Sequence, residues 1–158
     1  MPDQIKKIMR EVKTIGSDAT FFEALDKMIK EKTNSLVVVD KEGKVAGMIN
    51  TGDLIKEVVP DYLEEDNAVT AHFANIEMFM EDVKKAKDVS ISKFMTKNPA
   101  TVDAEDSLME VAAIAISKKQ MRVPVVDGNK KPIGLITRTE VKQVIGDILG
   151  LECFEDCK

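Results

Sequence analysis

Shifted by 87 positions (101 − 14 = 87), residues 14–58 of this chain fall on residues 101–145 without a gap. Identical pairs recur along the stretch, among them Thr14/Thr101, Glu23/Glu110, Lys32/Lys119, Val38/Val125, Val39/Val126, Asp40/Asp127, Lys44/Lys131, Gly47/Gly134 and Ile49/Ile136. The apolar pattern repeats more faithfully still, since LVVVD answers VPVVD and VAGMI answers PIGLI. The chain therefore carries one structural unit twice. A unit this short buries too little surface to stand alone, so the two copies are predicted to pack together as one module.

Each copy spells out the same local structure. A short extended segment (Lys13 to Ile15, Ala100 to Val102) precedes a helix-start signal, Thr20-x-x-Glu23 or Ser107-x-x-Glu110, read as capping boxes that satisfy orphan amides at a helix N-terminus. The first helix, about Phe21 to Lys32, is predicted to bury Phe21, Leu25, Met28 and Ile29. Its twin is predicted to bury Leu108, Val111, Ala112, Ala115 and Ile116. Two short apolar runs follow, Leu36 to Val39 with Val45 to Ile49, and Val123 to Val126 with Ile133 to Ile136. The polar, glycine-bearing turns DKEGK and DGNKK make each pair an antiparallel hairpin. A second helix closes each copy. In the second copy Val141, Val144, Ile145, Ile148 and Leu149 mark its buried face, and Thr137-x-x-Glu140 supplies its cap. The predicted class is α+β (mixed α/β), two β-α-β-β-α repeats packed pseudo-symmetrically.

The regions outside the repeats are of a different character. Residues 59–90 form a connector in which Val69, Phe73, Ile76, Met80 and Val83 recur at alternate spacings of four and three, an apolar helical seam suited to packing on the module or on a second copy. Glu64, Glu65 and Asp66 read as solvated surface, and His72 as a surface or packing residue. Ile5, Ile8, Met9 and Val12 form another short helical stripe that can dock on the pair. Residues 150–158 form an acidic tail. Its Cys153 and Cys157 lie one helical turn apart, but two thiols make a poor metal site without further ligands, so no function is assigned to them.

Composition narrows the class. A net charge of −5 and a pI near 5.0 argue against nonspecific nucleic-acid binding, which needs a basic face. No apolar run is long enough to span a bilayer, and MPDQIKKIMR lacks a signal-peptide core, so a cytoplasmic protein is expected. No nucleophile, base and orienter can be assembled from one histidine and two terminal cysteines, so no catalytic residue, metal site or required cofactor is expected. Gly47 to Gly52 has the spacing of a phosphate loop, but Asp53 stands where such a loop needs lysine.

What repeats with chemical interest is the junction from hairpin to second helix, GMINTGDL (Gly47 to Leu54) and GLITRTEV (Gly134 to Val141). A helix N-terminus offers free amides to a phosphate or hydroxyl, and an acid three residues on can accept hydrogen bonds from the vicinal hydroxyls of a ribose. From spacing alone the same residues also read as plain helix caps.

The duplicated pattern, with M-T-x-x-P-x-T-V at Met95 to Val102, R-x-P-V-V-D at Arg122 to Asp127 and G-h-h-T-x-x-acid at Gly134 to Glu140, resembles a tandem pair of CBS (cystathionine β-synthase) domains, the Bateman module. The resemblance covers residues 8–58 as repeat 1 and 91–149 as repeat 2. It implies a regulatory module with two clefts for adenosyl ligands such as AMP, ADP, ATP or S-adenosylmethionine. Carried onto this chain, the repeat-2 cleft uses Thr137, Arg138 and Glu140, with Asn98, Pro99 and Ala100 near the base and Arg122 and Val123 at the wall. Arg122 and Arg138 are the phosphate candidates, because a guanidinium pairs two oxygens at once. The repeat-1 cleft uses Asn50, Thr51 and Asp53, with Lys13, Thr14, Ser35 and Leu36 alongside. Two departures from the family pattern, Asn50 for Thr or Ser and Glu140 for Asp, together with the lack in the repeat-1 cleft of an arginine matching Arg122 or Arg138, imply at most one good nucleotide site.

The resulting expectation is a non-enzymatic sensor of an adenine nucleotide or S-adenosylmethionine. It is expected to form a homodimer and to signal to a separate effector protein, since only a short tail follows Leu149. The alternative is a ligand-free dimerisation scaffold in which both motifs are caps. An enzyme would need a metal or cofactor for which the residues make no visible provision.

Overall fold

The computed structural model describes residues 4–59 and 76–151. Val69, Phe73, His72, the acidic cluster Glu64 to Asp66, and both cysteines lie outside the described residues. The chain is α+β, with helices and two mixed sheets, and its contacts divide it into two compact units. One, here the repeat-1 unit, comprises Lys13–Lys41 and Ala46–Lys97. The other, the repeat-2 unit, comprises Met1–Val12, Glu42–Val45 and Asn98–Lys158.

In the repeat-1 unit the sheet runs in the order β1 (Thr14–Gly16), β2 (Ser35–Val39), β3 (Val45–Asn50), β4 (Thr96–Lys97). β1 lies parallel to β2 with Thr14 opposite Val37, and β3 lies antiparallel to β4 with Met48 opposite Thr96. Helices α2 (Phe21–Lys30) and α3 (Thr51–Val58) bury Phe21, Ala24, Met28, Leu54 and Val58 with Leu36, Val38 and Ile49 of the strands. The described part of the connector is helix α4 (Ile76–Ala86). It contacts α3, with Ala86 in the core and Val83 packed against it. Ile76, Phe79 and Met80 of the same helix stay exposed.

In the repeat-2 unit β5 (Val102–Asp103), β6 (Arg122–Val126) and β7 (Pro132–Thr137) form the sheet, with α5 (Leu108–Ser117) and α6 (Arg138–Ile148). Its core is Val102, Val111, Val123, Val125, Ile136 and, from the far end of the chain, Ile5. Ile5 opens the short helix α1 (Ile5–Ile8) and is fully buried. The helical stripe predicted through Val12 stops there. Met9 turns extended (φ −59°, ψ 146°), and Arg10 pairs with β7 through Arg10 N to Leu135 O at 2.9 Å and Leu135 N to Arg10 O at 3.0 Å. The edge of β7 offers unpaired backbone groups, and hydrogen-bonding them outweighs one more helical turn.

The lead-in segment of each repeat thus joins the other repeat's sheet: Thr96–Lys97 lies on β3, and Arg10 lies on β7. Gly47 and Gly134, an identical pair in the duplication, are where these segments cross. A Cβ on Gly47 would sit 2.8 Å from the Thr96 carbonyl oxygen, and one on Gly134 would strike the Met9 side chain.

Several helix-level expectations are corrected. Ile29, Ile116, Ile145, Ile148 and Leu149, all expected inside, are exposed by half or more. Each helix carries an apolar stripe wider than one sheet face can cover. The Ser107 hydroxyl caps nothing. Instead crowding by the fold and the neighbouring Asp106 carboxyl hold Glu110 above its ordinary pKa, and Asp106 accepts from Asp103 N at 2.7 Å. At Thr20 only half of the box forms, with Glu23 N donating to Thr20 Oγ1 at 3.3 Å.

Both first helices end alike, at Lys32 and its repeat partner Lys119, each left-handed with φ 52°. The α2 end is a Schellman turn, in which Thr33 N donates to Met28 O at 3.0 Å and Lys32 N to Ile29 O at 3.4 Å. A side chain there is strained where glycine is not. Lys32→Gly is therefore expected to stabilise the protein by about 0.5–1 kcal/mol, read as a higher urea midpoint at unchanged slope.

Candidate functional site

The two junctions singled out in the sequence start helices of eight and eleven residues, and each acid turns back onto its own helix start. In the repeat-1 unit Asn50 N donates to Asp53 Oδ2 at 2.8 Å, while Asp53 N donates to Asn50 Oδ1 at 3.0 Å. Thr51 N reaches Asn34 O at 3.0 Å, which ties the helix start to the residue before Ser35. Lys13 O accepts from Val37 N at 2.9 Å, and the Lys13 ammonium pairs with Glu31 at 3.1 Å. Asn50, Thr51 and Asp53 are thus brought together, with Ser35 linked to them through Asn34. Thr14 stands on the neighbouring strand β1. Leu36 is 1% exposed and its side chain belongs to the core.

The repeat-2 unit gathers its residues more tightly. Thr137 N and Thr137 Oγ1 both donate to Glu140 Oε2, at 2.7 and 2.6 Å, and Thr139 N donates to Thr137 Oγ1 at 3.1 Å. Thr137 faces Arg122 across the β6–β7 ladder, so their side chains leave the same face of the sheet. Arg138 is the first residue of α6 and is exposed. Asn98 is left-handed (φ 48°), a conformation asparagine tolerates, and leads through Pro99 into Ala100. Val123, like Leu36, is 1% exposed and packs in the core, so its side chain is not available to a ligand.

Two residues that the sequence reading did not single out complete this site. Gln120 accepts from Ala100 N at 2.9 Å and donates to Ala100 O at 2.8 Å and to Arg122 O at 3.0 Å, binding the 98–100 segment to the start of β6. Arg10 Nε donates to Glu140 Oε1 at 2.6 Å. Glu140 is 6% exposed, and with this bond both of its oxygens are engaged. A buried carboxylate needs such compensation, because an unpaired charge in the interior costs several kcal/mol. The signal in the sequence was compositional. Arg10, Arg122 and Arg138 are the three arginines of the chain, against twenty lysines (23 − 3), and all three fall in this unit.

The CBS domain model matches residues 5–60 and 86–147, and the chain belongs to the CBS-domain family. An uncharacterized protein of Methanocaldococcus jannaschii is 25% identical, over 89% of this chain and 90% of that protein. The L-aspartate semialdehyde sulfurtransferase of the same organism is 28% identical over 85% of this chain, but the match spans 21% of that enzyme. Among solved structures, CBSX2 in complex with AMP superposes with a TM-score of 0.67 at 21% identity, covering 93% of this chain and 98% of its own. The CBS domain pair of protein MJ0100, in complex with 5′-methylthioadenosine and S-adenosyl-L-methionine, gives 0.66 at 23% identity, covering 90% and 99%. No helix among the described residues is long and apolar enough to cross a membrane.

Proposed function

We propose that this protein is a non-enzymatic regulatory module that senses an adenosyl ligand and passes its occupancy to a separate effector protein in the cytoplasm. In this reading residues 8–58 and 91–149 are the sensing repeats, 59–90 the connector and 150–158 the tail. The observation that carries the proposal is the repeated junction itself: in each unit a hydroxyl or amide side chain and an acid meet at the start of a well-formed helix. Support comes from the adenosyl ligands named for CBSX2 and protein MJ0100, which share the fold. The ligand-contacting residues would be Asn50, Thr51 and Asp53 in repeat 1, and Arg122, Thr137, Arg138 and Glu140 in repeat 2. The sulfurtransferase match is compatible with a regulatory role, since it leaves about four fifths of that enzyme outside the alignment.

The rival reading, a scaffold whose motifs are only caps, has specific support in the cap geometry of both acids. Asp53→Ala and Thr137→Ala are each expected to cost about 1 kcal/mol under either reading. Ligand response separates the two. Under sensing, AMP, ADP, ATP or S-adenosylmethionine raises the melting temperature, and these substitutions abolish the rise. Calorimetric silence toward all four at millimolar concentration would end the proposal.

A homodimer is part of the proposal. Phe22 and Ile29 on α2 are exposed at 52% and 67%, and their repeat partners Met109 and Ile116 on α5 at 73% and 82%. Equivalent apolar positions left bare in both repeats suit a partner that carries the same duplication. Light scattering should return twice the 17.5 kDa of one chain.

A further inference from the structure

Arg10 lies 130 residues from Glu140, yet its Nε holds Glu140 Oε1 at 2.6 Å. The Arg10 backbone is fixed, because two hydrogen bonds tie it to Leu135 and Ile5 anchors the segment in the core. Its side chain is 42% exposed, and among the described residues the Nε contact is the one polar bond its guanidinium makes. The guanidinium therefore turns without the segment unfolding. Arg122 shares a sheet face with Thr137, and Arg138 starts the helix that Glu140 caps. Neither of these two arginines has a carboxylate within salt-bridge distance among the described residues. Arg10 bonds Glu140, Arg122 stands opposite Thr137 and Arg138 follows Thr137 in sequence, so all three arginines of a chain of net charge −5 belong to residues bordering the Thr137–Glu140 cap. The repeat-1 unit differs: Leu135 has Met48 as its duplicate (135 − 87 = 48), and Met48 pairs with Thr96, so an uncharged residue takes the place of Arg10 there.

We propose that Arg10 sets the ligand selectivity of the repeat-2 site: a nucleoside di- or triphosphate draws its guanidinium off Glu140, and the freed carboxylate oxygen then accepts a ribose hydroxyl. This rests on the adenosyl-sensing reading and specifies its ligand class. A phosphate oxygen competes with Glu140 on favourable terms, because a guanidinium can bind it through two N–H groups while the existing bond uses one. Adenosine offers Arg10 no such exchange, and S-adenosylmethionine offers only a single carboxylate on a ligand whose ammonium and sulfonium leave it net positive. For these ligands Glu140, 6% exposed with Oε2 accepting two hydrogen bonds and Oε1 one, offers a hydroxyl a single remaining lone-pair site, on the oxygen that Arg10 holds.

The test is a calorimetric titration of the full chain, in an Asp53→Ala background so that the repeat-2 site alone reports, with adenosine, AMP, ADP, ATP and S-adenosylmethionine. Affinity should rise with phosphate number, and S-adenosylmethionine should bind more weakly than ATP. R10Q should weaken ATP by about tenfold or more while moving adenosine by less than about threefold, and R10K should fall between. A flat response from adenosine to ATP in the parent overturns the proposal with no Arg10 variant needed. So does R10Q if it loses ATP and adenosine by the same factor. Silence toward all five ligands, with Asp53 intact as well, defeats the sensing reading instead.

Discussion

Ile5→Ala should lower the unfolding free energy by about 3 kcal/mol, although residue 5 stands near the end of the chain, where truncations are ordinarily harmless. Ile5 is fully buried among Val102, Val111, Val123, Val125 and Ile136, about a hundred residues away in sequence. Removing its branched side chain loses both the transfer free energy of the deleted carbons and the contacts of the atoms that faced them. For a chain of this size the melting temperature should fall by roughly 6–12 °C. A loss within about 0.5 kcal/mol, the range of a surface substitution, would mean that the N-terminal segment does not dock on the second repeat.

Gly47→Ala should cost about 2–3 kcal/mol, through a different mechanism. Its Cβ would meet the Met95 sulfur at 2.7 Å and the Thr96 carbonyl oxygen at 2.8 Å. The thioether can swing aside, but the carbonyl belongs to β4 and moves only if the β3–β4 pairing opens. Gly128→Ala is the control. That glycine has nothing within 4 Å of the added carbon, so the change should be neutral or slightly stabilising through the unfolded state. Equal losses at Gly47 and Gly128 would show that close approach of the exchanged strand is not what Gly47 provides. Urea denaturation of the three proteins decides it.

Legibility in the sequence followed the range of the interactions. The order of strands and helices was readable because period, turn residues and capping residues all act over a few positions. The Asn50/Asp53 and Thr137/Glu140 boxes stand where their spacing put them. The Ser107 hydroxyl does not cap, because Glu110 N, the amide it would reach, donates to the Ser107 carbonyl oxygen at 3.1 Å. The buried faces were overread for a simple reason: period tells which residues share a stripe, not how wide a stripe the sheet can cover. Ile29 and Ile116 continue their stripes past that edge.

By itself, then, the sequence determined that one α+β unit occurs twice and that each copy ends its hairpin in a capped helix start bearing an acid. Both are consequences of local chemistry repeated at a constant offset. Only the tertiary structure decided that the lead-in strands change places, that Gln120 clasps Ala100, and that Arg10 closes on Glu140. Those pairings join groups 20 to 130 residues apart. They exist because a strand edge and a buried carboxylate must find partners somewhere, and no local pattern says where.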